Sequence, residues 1–151
     1  MMKPDIRKGM REDITLIAQY NVAMAHETEN LTIELALLKK GVEAVINDDS
    51  HGYYLLAETE GVVVGCMMIT YEWSDWRSGQ FWWIQSVYVH PAHRRKGIFK
   101  ALYEKVKTLA EKENTCVGLR LYVESENTQA KKTYEKLGMK KTHYHLYEKM
   151  L

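Results

Sequence analysis

At 151 residues, 46% of them apolar, the chain is long enough for one domain with a real core. A formal net charge of +1 argues against nucleic-acid binding by the surface at large, and sparse Gly and Pro without low-complexity tracts argue against disorder. No apolar run is long enough to cross a bilayer, and Met1-Met2-Lys3-Pro4-Asp5 holds no apolar leader core, so the expectation is a soluble, cytoplasmic protein with no nucleic-acid and no membrane partner.

In chain order, residues 6–8 read as a short strand. Residues 11–25 place Ile14, Ile17, Ala18, Val22 and Ala25 on one helical face, with Glu12 and Asp13 in the first turn, where carboxylates favour the positive end of the helix dipole. A second helix starts near Thr32 and stops at Asn47-Asp48-Asp49-Ser50. Residues 53–58 and 62–71 are strands joined by Thr59-Glu60-Gly61, a hairpin signal, and the second is apolar enough to be central in a sheet. Residues 73–79 form a loop and 81–89 the next strand. Residues 95–112 form a helix with Phe99, Leu102, Val106, Leu109 and Ala110 facing inward. Val117, Leu119, Leu121 and Val123 alternate with Gly118, Arg120, Tyr122 and Glu124, a strand signature. Asn127 or Thr128 caps a last helix that ends at Gly138, and residues 142–150 read as a closing strand. The order is β-α-α-β-β-β-α-β-α-β, with no repeat and no linker. Cys66 and Cys116 lie in apolar runs without zinc-ligand spacing, so they read as structural thiols.

Two segments carry chemistry. Residues 86–102 read as a buried strand, the basic turn Arg94-Arg95-Lys96-Gly97 and a helix start. The N–H groups of Arg95, Lys96, Gly97, Ile98, Phe99 and Lys100, with the helix dipole behind them, suit a diphosphate. Gly97 tolerates backbone angles that other residues resist and leaves room beside a phosphate. The second segment is Asn127-Thr128-Gln129-Ala130-Lys131-Lys132-Thr133-Tyr134-Glu135-Lys136-Leu137-Gly138-Met139. Together they resemble the GNAT superfamily of acyl-CoA-dependent N-acyltransferases. The family's phosphate motif, Gln/Arg-x-x-Gly-x-Gly/Ala, matches at Arg94 and Gly97 and departs at Phe99. Its second motif, Asn, then Ala, Tyr and Gly-Phe, departs only at Met139.

The resemblance covers essentially the whole chain, taken as a single domain over residues 1–151. It implies an α/β (α+β) fold whose mixed, mostly antiparallel sheet has six to seven strands flanked by about four helices. It implies acetyl-CoA as acyl donor, with no metal. Backbone groups of Val87, Tyr88 and Val89 would bond the pantetheine arm in the manner of an added strand. Asn127 would bond the same arm, and Tyr134 would bind the cofactor and act as general acid, since a phenol near pKa 10 is protonated at neutral pH. No base carries over, because Trp82, Trp83 and Gln85 occupy the strand where many relatives place Glu. Candidates are Glu27, Glu29 and Asp75, with Glu72, His26 and a water held by Gln85 and Ser86 also open. Glu27, Glu29, Trp73, Trp76 and Gln85 are candidates for the acceptor pocket, where aromatic faces beside carboxylates suit a small cationic amine. The expected function is acetyl transfer to a primary amine by direct attack in a ternary complex. The alternative is a non-catalytic acyl-CoA-binding regulatory module. The apolar C-terminal strand is compatible with a homodimer.

Overall fold

The computed structural model describes residues 3–151; Met1 and Met2, read above as part of the N-terminus, lie outside the described residues. Two compact units are distinguished, Met1–Leu121 and Tyr122–Leu151. The first contains β1 (Asp5–Lys8), a 3-10 turn (Arg11–Asp13), α1 (Ile14–Glu29), α2 (Leu35–Asn47), β2 (Tyr53–Thr59), β3 (Val62–Ser74), β4 (Gly79–Val89), a second 3-10 turn (Pro91–His93), α3 (Ile98–Lys112) and β5 (Cys116–Arg120).

The five strands lie in sequence order in one sheet. Pairs up to β3–β4 are antiparallel, and β4–β5 is parallel. Short turns suffice for β2–β3 and β3–β4, whereas a parallel partner for β4 needs a crossover, which α3 supplies. On one face Tyr54, Leu56, Cys66 and Tyr88 pack against Ile17, Ala18, Tyr20 and Val42 of α1 and α2. On the other, α3 buries Ile98, Leu102, Tyr103, Val106 and Ala110. There Ile98 approaches so closely that a methyl group on Gly65 would lie 3.1 Å from it. Ile17, Leu56, Met67, Ile69 and Leu102 are fully buried, each contributing about 1.5–3 kcal/mol relative to exposure.

Several boundaries differ from the sequence reading. Residues 11–13 form a separate 3-10 turn because the Asp13 carboxylate is used for tertiary contacts. It accepts from Met10 N–H at 2.8 Å and from both terminal nitrogens of Arg7 at 2.8 and 2.9 Å. Helix α1 continues past Ala25 to Glu29 and closes on Asn30 in the left-handed region at φ 51°. The expected 73–79 loop shrinks to residues 75–78, because Trp73 pairs with Gln80 and Ser74 with Gly79. Helix α3 starts at Ile98, not Arg95, since the turn before it has positive φ angles. Strand β5 ends at Arg120.

In the second unit α4 (Thr128–Lys136) is capped by the Asn127 carboxamide oxygen, which accepts from Ala130 N–H at 3.1 Å. It ends in a Schellman motif: Met139 N–H donates to Tyr134 C=O, Gly138 N–H donates to Glu135 C=O, and Gly138 has φ 92°. The closing strand expected over 142–150 is not formed, so the sheet has five strands among the described residues rather than six to seven. Alternating side chains specify a strand only where an edge exists to receive it, and the second unit contains no other strand.

Two glycines in the first unit separate backbone need from indifference. Gly52 has φ 142°, and a Cβ there would sit 1.9 Å from the Ile69 carbonyl oxygen. Gly52→Ala is expected to destabilise by about 3 kcal/mol in urea unfolding. A Cβ at Gly41, inside α2, meets nothing within 4 Å, and Gly41→Ala is expected to stabilise by about 0.5–1 kcal/mol in the same assay. Asp13 yields a pH prediction. The Arg7 guanidinium, opposed by burial, holds its carboxyl below the usual 3.8. Its contribution is therefore present above that value and lost as pH falls through the lower folded pKa. Asp13→Asn is expected to cost about 2 kcal/mol at neutral pH and to flatten the stability loss below pH 4, read by thermal melts against pH.

Candidate active site

The first feature is a fork beside β4. Pairing of β4 with β5 runs only from Gln80–Cys116 to Trp83–Arg120. Residues 84–89, which include Val87, Tyr88 and Val89, have no strand partner on that side among the described residues, while their other edge stays on β3. The second feature is a bulge. Cys66 faces Tyr88 but Met68 faces Gln85, so β4 carries one extra residue, and Ser86 lies at φ 49°. The bulge brings Gln85 and Tyr88, three residues apart, onto the same face. There Gln85 Oε1 accepts from the Thr70 hydroxyl.

The third feature is the turn at the end of β4. Arg95 and Gly97 both have positive φ, 63° and 78°, and α3 follows with Gly97 as its N-cap. Ala101 N–H is bonded to Gly97 C=O at 3.0 Å. The N–H groups of Ile98 and Lys100, in the first turn, have no acceptor within the helix. A methyl group at Gly97 would meet nothing within 4 Å, so there is open space beside this residue. Arg95, Lys96 and Lys100 stand exposed around it. The Phe99 ring lies along α3 beside Tyr103, with centroids 6.3 Å apart. These donors and charges fit the diphosphate of a coenzyme A-type molecule.

The Arg94 side chain has a different task. Its Nε donates to Val89 C=O at 2.8 Å, Nη2 donates to Glu27 Oε2 at 2.7 Å, and its guanidinium lies over the Tyr88 ring at 5.3 Å. The Tyr88 hydroxyl donates to the other Glu27 oxygen at 3.1 Å, and its ring meets Tyr20 of α1 at 5.0 Å. Arg94 thus ties the last turn of α1 to the phosphate turn. The same bond holds the Glu27 carboxyl below its ordinary 4.5, against the effect of burial. Both Glu27 oxygens are thus engaged, one by Arg94 and one by Tyr88. Glu29 is exposed at the end of α1, and Asp75 in the β3–β4 turn. Trp73 and Trp76 are 59% and 87% exposed.

A cluster that sequence reasoning missed lies on the same sheet face. Glu72 accepts from the Trp83 indole N–H at 2.8 Å and from Arg120 Nη1 at 3.1 Å, and the Arg120 guanidinium lies 3.6 Å from the Phe81 ring centroid. Glu72 was a candidate base, but Arg120 and Phe81 carried no signal, because register across three strands brings them together. In the second unit Asn127 is the N-cap of α4 and Tyr134 lies within that helix, and burial pushes the half-buried Tyr134 phenol above its usual 10.

The sequence model of the acetyltransferase (GNAT) family matches residues 17–139. The chain belongs to this family. A crystal structure described as a possible acetyltransferase from Clostridium difficile 630 is 44% identical, covers 99% of both chains and superposes with a TM-score of 0.92. A ribosomal-protein-alanine N-acetyltransferase from Brucella melitensis biovar Abortus 2308 is 21% identical over 98% of this chain and 99% of its own, with a TM-score of 0.78. An aminoglycoside acetyltransferase from an uncultured soil metagenomic sample is 19% identical over 99% of this chain and 100% of its own, with a TM-score of 0.74. The last two share the fold. No curated protein matches the chain significantly. For this GNAT protein, acyl transfer follows from the family.

The Arg94 tie has a spectroscopic consequence. The Glu27 carboxyl of the parent should titrate below 4.5 in a carbon-13 NMR series. In Arg94→Met it should move up toward that value, because the guanidinium is the largest cause of its depression. An unchanged titration would show that the ion pair is not populated in solution.

Proposed function

We propose that this GNAT protein moves an acetyl group from acetyl-CoA to the primary amine of a small cationic acceptor, by direct attack within a ternary complex. The observation that carries the reading is the open turn at the start of α3 beside the unpaired stretch of β4: an anion cradle continuous with a free strand edge. Amides of residues 95–100, with Lys96 and Lys100, would hold the diphosphate. Backbone groups of Val87 and Tyr88 would take the extended arm along the β4 edge, as an added strand does. The Val89 carbonyl already accepts from Arg94, so Val89 has less to offer. Acetyl-CoA, when bound, supplies an activated thioester carbon.

The proposed chemistry of the chain's own groups is limited. Tyr134, protonated at neutral pH, donates a proton to the departing sulfur, and Asn127 orients the arm through the part of its carboxamide that the helix cap does not use. The acceptor ammonium, with a pKa near 10.4, must lose a proton first, at about 4–5 kcal/mol at neutral pH. Glu29, Asp75 or a water near Gln85 receives it, and Glu27 does not. Trp73, Trp76 and nearby carboxylates favour a cationic acceptor over an anionic one. Direct attack is supported by the thiols: burial pushes Cys66 up to about 12 and raises Cys116, so neither is a thiolate nucleophile near neutral pH.

Calorimetry with coenzyme A, followed by an amine screen reading thiol release, tests the reading. Tyr134→Phe is expected to lower kcat about 10²–10³-fold with the coenzyme A Kd unchanged within about twofold. No heat of coenzyme A binding would overturn the whole proposal. Binding with no turnover on any amine would favour a regulatory acyl-CoA module.

A further inference from the structure

The end of α1 has few attachments of its own. Ala25 is the last buried residue of the helix, and residues 26–32 are all exposed. Two backbone bonds close the helix, from Asn30 N–H to His26 C=O at 3.2 Å and from Leu31 N–H to Ala25 C=O at 3.1 Å. The chain then has no regular structure until α2 starts at Leu35. The Thr28 hydroxyl donates back to Met24 C=O, within the helix. Among the described residues, Glu27 is the one side chain of residues 26–34 with a hydrogen bond or ion pair to another element.

Its partners all belong to the elements proposed above to hold coenzyme A. The Tyr88 hydroxyl comes from the stretch of β4 that β5 leaves unpaired. Arg94 stands at the start of the turn that leads into α3, with its Nε braced on Val89 C=O. The Arg94 and Glu27 side chains are partly exposed, and an ion pair so open to water contributes little by itself. A ligand that fixes both anchors of such a pair can therefore shift its balance between open and closed. A coenzyme lying on the amides of residues 95–100 and along Val87 and Tyr88 does this. The turn and the strand then lose their freedom to the ligand, and closing the Glu27 contacts costs less.

We propose that Glu27 is a positioning residue: through Arg94 and Tyr88, an occupied coenzyme site docks the end of α1 against β4, and with it the 26–34 connection that carries the acceptor candidates Glu27 and Glu29. The docked turn then stands over β4 on the face where Gln85 and Tyr88 lie, beside the bulge. This inference rests on the coenzyme reading given above. Coupling of this kind is reciprocal, so whatever factor the coenzyme adds to the docking of α1, docking adds to the coenzyme affinity.

Hydrogen–deuterium exchange on the full chain, with and without coenzyme A and beside calorimetry, tests the proposal. Amides 26–31 are expected to exchange about five- to tenfold more slowly with coenzyme A bound. The His51 amide, bonded to Asp48 C=O beyond the far end of α2, should keep its rate. In Glu27→Ala the slowing at 26–31 should be lost, while coenzyme A still binds with a Kd weakened about five- to tenfold. Glu27→Gln, which keeps the chain length and one oxygen, should fall between. No heat of binding with the parent would overturn the coenzyme reading and this inference with it. Heat with unchanged exchange at 26–31 would overturn this inference alone. So would slowing that persists in Glu27→Ala, or a Kd of that variant equal to the parent's. Circular dichroism checks the variants, and exchange on the parent together with Glu27→Gln decides the matter should Glu27→Ala not fold.

Discussion

The parallel pairing of β4 with β5 is the constraint from which the rest of the candidate site follows. Parallel neighbours cannot be joined by a tight turn, so α3 must cross over the sheet between them. That crossover sets the N-terminus of a 15-residue helix beside the end of β4. The positive end of its dipole then lies beyond the stretch of β4 that has lost its partner. The pairing stops at Trp83–Arg120, leaving a free edge and an anion cradle in line.

The bulge at Ser86 adapts this frame to chemistry. One extra residue in β4 brings Gln85 and Tyr88 to the same side of the sheet, where a regular strand would have turned one of them away. Tyr88 then packs on Tyr20 and holds Glu27, while Gln85 rests on Thr70. The positive φ at Ser86 is a local cost of order 1 kcal/mol, retained at the point where the fork begins.

Arg94 shows why a motif residue does not have to act on the ligand directly. Its charge contributes to the basic turn, but its Nε and Nη2 donate to Val89 and Glu27. It therefore links the end of α1 to the turn that precedes α3. Both partners are partly exposed, at 43% and 38%, so the pair orients the elements more than it stabilises the fold. The Glu72–Trp83–Arg120 cluster does similar work further along the strands, fixing a carboxylate on the face that α1 and α2 cover in part.

Much of this was legible in the residues themselves. The periodicity of Ile17, Ala18 and Val42, the alternation of Val117 and Leu119, the glycine at the phosphate turn and the Asn127 and Gly138 caps are local signals, set by a few dihedrals and near neighbours. They determined the order of the elements through α4 and the family resemblance. Local signals could not reveal the extra residue in β4, the shortening of the 73–79 loop or the meeting of Glu72 with Arg120. Those depend on register between strands far apart in sequence. Nor could alternation alone make residues 142–150 a strand, because hydrogen bonds of a strand belong to a pair. The order and type of the elements through α4 were thus written in the sequence, whereas the fate of the last segment, and which carboxylate is held by which cation, were decided only when the strands came into register.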